Sequence, residues 1–427
     1  MKNIIYLLIP LFVISCGNKS TKFVTDASDY NKYLIGEPSE TTSKYFELWN
    51  SKIKQDSIQL LSFGNVAGEY SSYFKKTGDI KYLKKAEKAL AKAVEIANIG
   101  KSGYRKALAR NYISQHRFKE ALVLAKEANK LGGGRKETRS LLFDVHMELG
   151  NYKLAEKYLD SIKNMSDFGY LIRVAKWNDY KGNLDTTIKF MEKAMQKAES
   201  SKNRTLRLWS YSNIADYYGH AGRIKDSYVH YLKTLELDPQ NAYAKKGLAW
   251  IVFSHEKNGE EALRILDNIT ENYSAPGYYL FKAEIAEFMN NQIAMTFNMD
   301  KYYTMVLTNA DSYGAMYNAY NVEFYLNYSK QYEKALNLAL KEVISRPTAE
   351  TYGLLANTYH KMGKDKAALK IVEDHIINKT FEPAILYTAA EIYKANNKMH
   401  RVSALKQELM EAVYELGPSY EREISQL

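Results

Sequence analysis

The sequence predicts an all-α protein built from tandem helix-turn-helix units. The clearest unit is Leu208–Pro239, whose first half puts apolar side chains at the i, i+3, i+4, i+7 spacing of one helix face: Tyr211, Ile214, Ala215 and Tyr218. Gly222 ends the first helix where a left-handed residue costs least, and Pro239 ends the second because proline lacks an amide donor. The unit is therefore a pair of amphipathic helices joined by a tight turn.

The same unit recurs about ten times along the chain. Small residues of the second helix return at regular intervals: Ala86 to Ala121 is 35 residues, Ala121 to Ala155 is 34, and Ala335 to Ala368 is 33. Two longer intervals of 40, ending at Ser227 and Ala335, predict extra residues near 199–203 and 308–313, and Gly259 predicts a longer turn in the sixth unit. No stretch is left over for a separate enzyme domain.

This pattern resembles the tetratricopeptide repeat (TPR). With Leu208 as position 1, aromatic, large, small and aromatic residues stand at positions 4, 7, 8 and 11, glycine at 15 and proline at 32. The resemblance implies a right-handed superhelix over residues 43–427, closed by a helix at Ser43–Lys54 and another near Glu408–Leu416. A solenoid of this kind stacks each repeat only on its neighbours and need not divide into domains.

The first residues predict export and lipidation. Lys2 and the apolar run Ile4 to Ile14, broken only by Pro10, form a signal peptide (residues 1–15) that is too short to cross a bilayer. The segment that ends in Ser15-Cys16 resembles a bacterial lipobox, which implies that a diacylglycerol is attached to Cys16. The alternative is an ordinary secretory peptide whose cysteine is incidental.

Residues 16–42 are rich in small polar residues and predict a flexible tether from the lipid to the solenoid. Cys16 is the only cysteine, so the chain offers no disulfide. Gly17 follows it in place of the aspartate that retains similar lipoproteins at the inner membrane, which favours the outer membrane. The lack of an acidic run after Cys16 favours the side that faces the periplasm.

The motifs of catalysis are missing. His255-Glu256 lacks the second histidine of a zinc-protease helix, and the run Gly132–Lys136 lacks the P-loop's GK[ST] after a strand. We therefore predict no enzyme activity, no metal and no cofactor. The net charge of +11 comes from lysines interleaved with glutamates along helices, which indicates solvated faces and not a nucleic-acid site.

The resemblance assigns partner binding to the concave face, at positions 2, 5, 9, 12 and 13 of each first helix. Candidates in the second repeat are Lys106 and Arg110, which partly fit a carboxylate clamp, although Leu141 occupies the next slot of the clamp. Repeats five to eight add large aromatics, which give rigid contact area: Trp209, Tyr243, Trp250, Phe253, Phe288, Tyr317, Tyr320, Phe324 and Tyr328. If the frame is off by one in the weaker repeats, several of these belong to the core instead.

The sequence thus predicts a lipid-anchored TPR scaffold that binds protein partners of the cell envelope without catalysis. The alternative is capture of a glycan or peptide in the aromatic groove, as in starch-utilisation lipoproteins, which also contain TPR units. Those proteins interrupt their repeats with a large ligand region that this chain lacks. A TPR-linked envelope enzyme is a third class, disfavoured by the missing catalytic residues.

Overall fold

A computed structural model describes residues 23–35, 38–54 and 56–427. Within these ranges ten helical hairpins follow one another, and we number them repeats 1 to 10. Their helices are Leu60–Thr77 with Ile80–Ile96, Lys101–Ser114 with Phe118–Lys130, Arg135–Glu148 with Tyr152–Asp160, Phe168–Tyr180 with Leu184–Ser200, Arg204–His220 with Ile224–Leu237, Ala242–Trp250 with Gly259–Asn272, Gly277–Phe288 with Gln292–Thr308, Asn318–Glu323 with Tyr332–Ser345, Ala349–Lys361 with Asp365–Ile371, and Pro383–Ala395 with Met399–Glu411. Cys16 and the signal peptide lie outside the described residues.

Every hairpin turns through one residue with positive φ. Glycine takes this position in five repeats, as at Gly222, while Lys257 and Asn397 are among the residues that take it in the others. Five residues later, the second helix of every repeat except the seventh buries a side chain against the first. This side chain is small in most repeats: Ala121, Ala155, Thr187, Ser227, Ala262, Ala335 and Ala368 have no exposed surface. The predicted all-α solenoid of about ten repeats is confirmed.

The register of repeat 1 differs from the prediction. Gly78 is its positive-φ residue, so Leu83 and not Ala86 stands five residues later. Both are buried, because Ala86 lies one helical turn further along the same face. Ala86 and Ala121, which are 35 residues apart, are therefore not at equivalent positions of their repeats; Leu83 is the equivalent of Ala121.

Among the described residues, three helices contain a π-helical turn: Ile251–His255 continues the first helix of repeat 6, Phe324–Tyr328 that of repeat 8, and Val372–Ile376 the second helix of repeat 9. A π turn accommodates one extra residue inside a helix. The longer turn predicted at Gly259 is wrong, because Gly259 begins the second helix of repeat 6 and the extra residue lies in the π turn before it.

The superhelix turns tightly enough for successive turns to touch. The backbone amide of Ser274, after repeat 6, donates to the carbonyl of Thr77 in repeat 1 at 2.7 Å. A Cβ at Gly150 in repeat 3 would come within 2.8 Å of the carbonyl oxygen of Pro347, after repeat 8. Each contact joins a repeat to one about five further along the chain, so the two edges of the solenoid meet at a seam.

The segment predicted as a flexible tether is partly folded. Residues 23–35, which form the short helices Ala27–Tyr30 and Asn31–Tyr33, lie against repeats 5 and 6. Tyr30 is 1% exposed and donates to Glu261 at 2.7 Å, while Glu256 accepts from the amides of Val24 and Thr25 at 2.8 Å each. The burial of Tyr30 and these charge-assisted hydrogen bonds hold the segment in place.

The predicted terminal helices are present with shorter bounds. Lys44–Asn50 packs against repeat 1, and the chain ends in Val413–Leu416 and Tyr420–Ser425 after repeat 10. Ala310–Tyr313 forms an extra short helix in the insertion predicted near 308–313. In the part of the chain that the structure describes, we find no helix with both the length and the hydropathy needed to cross a bilayer.

Candidate functional site: a concave groove covered by the C-terminal segment

The first helices of repeats 6 and 7 share an aromatic cluster, in which Phe253 and Phe281 are buried while Trp250 and Phe288 are partly exposed. Trp250 lies 5.3 Å from Phe281 between ring centroids, and Phe253 lies 5.4 Å from Phe288 and 5.8 Å from Phe281. The two pairs of Phe253 are edge-to-face, an arrangement that aromatic rings prefer, and the pair of Trp250 with Phe281 is tilted. We call this cluster and the adjoining face of repeat 5 the concave groove.

The C-terminal segment, residues 412–420, covers this groove. The carbonyl oxygen of Tyr414 accepts two hydrogen bonds, one from the indole of Trp250 at 3.1 Å and one from the hydroxyl of Ser254 at 2.7 Å. Lys257 pairs with Glu421 just beyond the segment, at 2.5 Å. The groove thus holds a stretch of polypeptide that is remote in sequence, since Tyr414 follows Ser254 by 160 residues.

Two glycines let the segment approach closely. The ring of Tyr414 lies over Gly219 of repeat 5, where a Cβ would come within 2.8 Å of the ring. Gly417 has a φ of 101°, which favours glycine, and a Cβ there would lie 2.9 Å from the carboxylate of Glu284. Residues larger than glycine at either position would push the segment away from the groove.

A cavity of about 250 Å³ remains beside Tyr414. It is lined by Asp216, His220, Lys246 and the aromatic rings of Tyr231, Tyr243, Trp250 and Tyr414. The Asp216 carboxylate accepts hydrogen bonds from the hydroxyls of Tyr231 and Tyr243. This part of the groove therefore offers acceptors, a cation and aromatic faces to a ligand.

Burial controls the charges under the segment. It raises the pKa of Glu284 to about 7, although nearby Lys246 opposes the shift. Partial desolvation in the groove likewise lowers the pKa of Lys246, although this side chain keeps exposed surface, and raises the pKa of half-buried Asp216. The C-terminal segment passes over Glu284 at Gly417, so covering the groove keeps this carboxyl away from water.

A second cavity, of about 550 Å³, lies at the seam and shares His220 and Glu415 with the first. Asp179, Glu382 and Glu415 line it from three separate parts of the chain. Asp179 and Glu382 keep exposed surface, but the walls of the cavity partly desolvate all three carboxyls and raise the pKa of each, that of Glu382 to about 7. The nearest cation to Glu415 would be protonated His220, at 3.8 Å. No cluster of three or more potential metal ligands occurs among the residues that the structure describes.

Six of the nine aromatic residues predicted for the concave face fall into two clusters. Trp250, Phe253 and Phe288 belong to the groove, but Phe253 has no exposed surface. Tyr317, Phe324 and Tyr328 form a cluster in repeats 7 and 8, where Phe324 is 4% exposed and stacks on Tyr303 at 4.5 Å. Phe253 and Phe324 are core residues, so their prediction as contact residues is corrected here.

The other predicted residues lie apart from the groove or on its rim. Tyr243 and Tyr320 are about half exposed, and Trp209 is 38% exposed beside Phe168. Lys106 is buried next to Gly134 and Glu137, and exposed Arg110 is in the same repeat. The structure does not bring Lys106 and Arg110 together with the aromatic residues.

Sequence reasoning missed the residues that complete the groove. Ser254, Glu284, Tyr414 and Gly417 were not among the candidates, because each of the four contacts a part of the chain that is remote in sequence. The pair Gly417-Pro418, which interrupts the final helices, was the one available signal of a tight approach.

The hairpins share one turn geometry, one buried position five residues later and stacking on both neighbours. The fold is a TPR solenoid. No protein-family model matches the sequence, and no curated protein is significantly similar to it. Solved TPR structures resemble it at low identity.

One such structure is a TPR protein of Parabacteroides merdae, with 16% identity, a TM-score of 0.39, and coverage of 55% of this chain and 93% of that one. Yeast Tom70 has 12% identity, a TM-score of 0.41 and coverage of 89% and 90%. A human IFIT1 dimer with PPP-AAAA has 13% identity, a TM-score of 0.43 and coverage of 90% and 96%.

Proposed function

We propose that this protein is a membrane-anchored scaffold of the cell envelope, which binds a protein partner in the concave groove and has no catalytic role. One observation carries the proposal: the groove already holds polypeptide, through hydrogen bonds to a main-chain carbonyl and a close fit around Tyr414. A groove that grips a backbone in this way suits a protein ligand. Fold alone would not identify a function.

Glycan capture receives less support. Sugar rings stack on open aromatic faces, but Trp250 is hydrogen-bonded to the C-terminal segment and Phe253 is fully buried. The exposed ring of Tyr320 stands outside the groove.

Partner binding is tested by a photo-crosslinking residue, p-benzoyl-phenylalanine, in place of Tyr243 at the rim of the groove. We expect it to link one defined envelope protein in cells. The matched control replaces Ile344, which is 72% exposed and lies away from the groove. Crosslinks of equal yield and identity from both positions, or none from Tyr243, would contradict binding in the groove.

Lipid anchoring at Cys16 is the second part of the proposal. Phe23 begins the docked segment seven residues after Cys16, and seven extended residues span at most about 25 Å. An anchored chain would therefore keep repeats 5 and 6 close to the bilayer. Metabolic labelling with a fatty-acid analogue should label the wild type but not Cys16→Ser. Equal labelling of both proteins would contradict lipid attachment at Cys16.

A further inference from the structure

We propose that the C-terminal segment is an intramolecular competitor, and that the partner docks with a segment of the same chemistry. Such a segment has an aromatic residue whose main-chain carbonyl accepts hydrogen bonds from Trp250 and Ser254. A glycine follows three residues later. The inference rests on the proposed function, since it names the class of protein segment that the concave groove takes. It also makes the covered groove a regulated site.

The first support is the way the segment is recognised. Trp250 and Ser254 contact the carbonyl of Tyr414, which every residue possesses, so these two hydrogen bonds would serve any polypeptide. Selectivity comes from two close contacts. The aromatic ring packs against Gly219, where a Cβ would collide with it, and the position of Gly417 lies too close to the Glu284 carboxylate for a residue with a Cβ. A partner segment with an aromatic residue and a glycine at this spacing would satisfy the same four constraints.

The second support is the imperfect fit of the segment. The cavity of about 250 Å³ beside Tyr414 is partly open to solvent, and the segment leaves this space unfilled. Half-buried Glu415 lines the second cavity together with Asp179 and Glu382, whose like charges oppose its position. His220, at 3.8 Å from Glu415, can offset them when it is protonated. Glu284 lies below Gly417 with no hydrogen-bond partner among the described residues. A partner that fills the space and supplies a cation would fit better than Tyr414 and Glu415 do.

The third support is the separate attachment of the rest of the segment. Leu416 and Ile424 pack with Leu386, Ala390 and Leu409 in the core of repeat 10. Tyr414 can therefore leave the groove while these residues hold the chain to repeat 10. Because it stays tethered, the segment competes at a high effective concentration, and a free peptide must overcome it.

The experiment uses the full-length protein and a fluorescein-labelled synthetic peptide of residues 410–421. We expect Tyr414→Ala to bind this peptide at least tenfold more tightly than the wild type in fluorescence polarisation, since the variant lacks its competing ring. The matched control is Tyr359→Ala, which removes a half-buried tyrosine of repeat 9 and should bind as the wild type does. A peptide with alanine at the position of Tyr414 should not bind to any of them.

A second variant, Gly417→Ala, loosens the segment while keeping Tyr414, and should also bind the peptide more tightly than the wild type. Circular dichroism checks that each variant is folded. Equal affinity of wild type, Tyr414→Ala and Gly417→Ala would overturn the competition, and so would absence of binding to all three. If the Tyr243 photo-crosslink to a partner persists in either case, only the present inference fails; if that crosslink is also absent, the proposed function fails.

Discussion

The concave face differs between repeats 3 and 4 and repeats 6 and 7. In the former, charged side chains pair across neighbouring repeats: Arg173 with Asp144 at 2.6 Å, and Lys176 with Glu148 at 2.7 Å. In repeats 6 and 7 the corresponding face is aromatic, and a segment from the end of the chain covers it. The charged side chains of repeats 3 and 4 find their partners in the neighbouring repeat, whereas the aromatic face of repeats 6 and 7 is covered by a segment that is remote in sequence.

The difference shows how one hairpin geometry supports two kinds of surface. Ion pairs between adjacent repeats need only neighbours, which a solenoid always provides. An aromatic cluster exposed to water would be an apolar patch, which soluble proteins keep small or use for binding. We infer that the aromatic face, and not the charged one, is the binding surface.

The largest expected effect comes from the regular packing that both regions share. Ala356 has no exposed surface and lies in the core of repeat 9. Ala356→Trp should lower the free energy of unfolding by about 3 kcal/mol through overpacking, whereas Ala367→Trp at an exposed site should change it little. Hydrogen exchange should show fraying of repeats 8 to 10 first, and uniform loss of protection from repeat 1 onward would contradict nearest-neighbour coupling.

Trp250→Ala should have the next largest effect. The indole is half-buried and joins the aromatic cluster to Tyr414, so we expect a loss of about 2–3 kcal/mol in thermal or urea unfolding. Trp209→Ala, at a more exposed indole outside the groove, is the matched control and should cost less. Equal costs would remove the distinction between groove and rim.

Glu284→Gln should show a pH-dependent gain on the order of 1 kcal/mol. Burial holds the pKa of Glu284 at about 7, above its ordinary value, so the folded protein binds this proton more tightly than the unfolded chain does. The stability that this proton gives the wild type should therefore be lost as the pH rises from about 4.5 to about 7, and should change little at higher pH. Lys246, Glu287 and Tyr420 are the titratable groups that face the carboxyl.

Unfolding at pH 5 and pH 8 measures this effect. The glutamine variant should match the wild type at pH 5 and exceed it at pH 8. A gain that is equal at both pH values would show that the charge of Glu284 is not responsible.

The smallest effect is expected for Tyr320→Ala. The ring is 52% exposed and stands outside the concave groove, so the substitution should change stability by less than about 0.5 kcal/mol. It should also leave peptide binding unchanged. A tenfold loss of peptide affinity would extend the binding surface into repeat 8.

The sequence was sufficient for the repeat array because local rules determine it. The buried small residues at Ala121, Ala155 and Ala368 follow helical periodicity, which a sequence displays directly. The docking of Tyr30 on repeat 6 was not predictable, since one tyrosine in a polar stretch gives no periodic signal. The contact between Trp250 and Tyr414 was also hidden, because it depends on how tightly the superhelix turns.

The most direct measurement is photo-crosslinking from the C-terminal segment itself. With p-benzoyl-phenylalanine in place of Tyr414, irradiation of the purified full-length protein should give intramolecular crosslinks to the first helix of repeat 5 around Gly219 and to the region of Trp250 and Ser254. Peptide of residues 410–421, added in excess, should reduce the yield. Crosslinks confined to repeat 10, or found only between molecules, would contradict a groove that is covered by its own C-terminal segment.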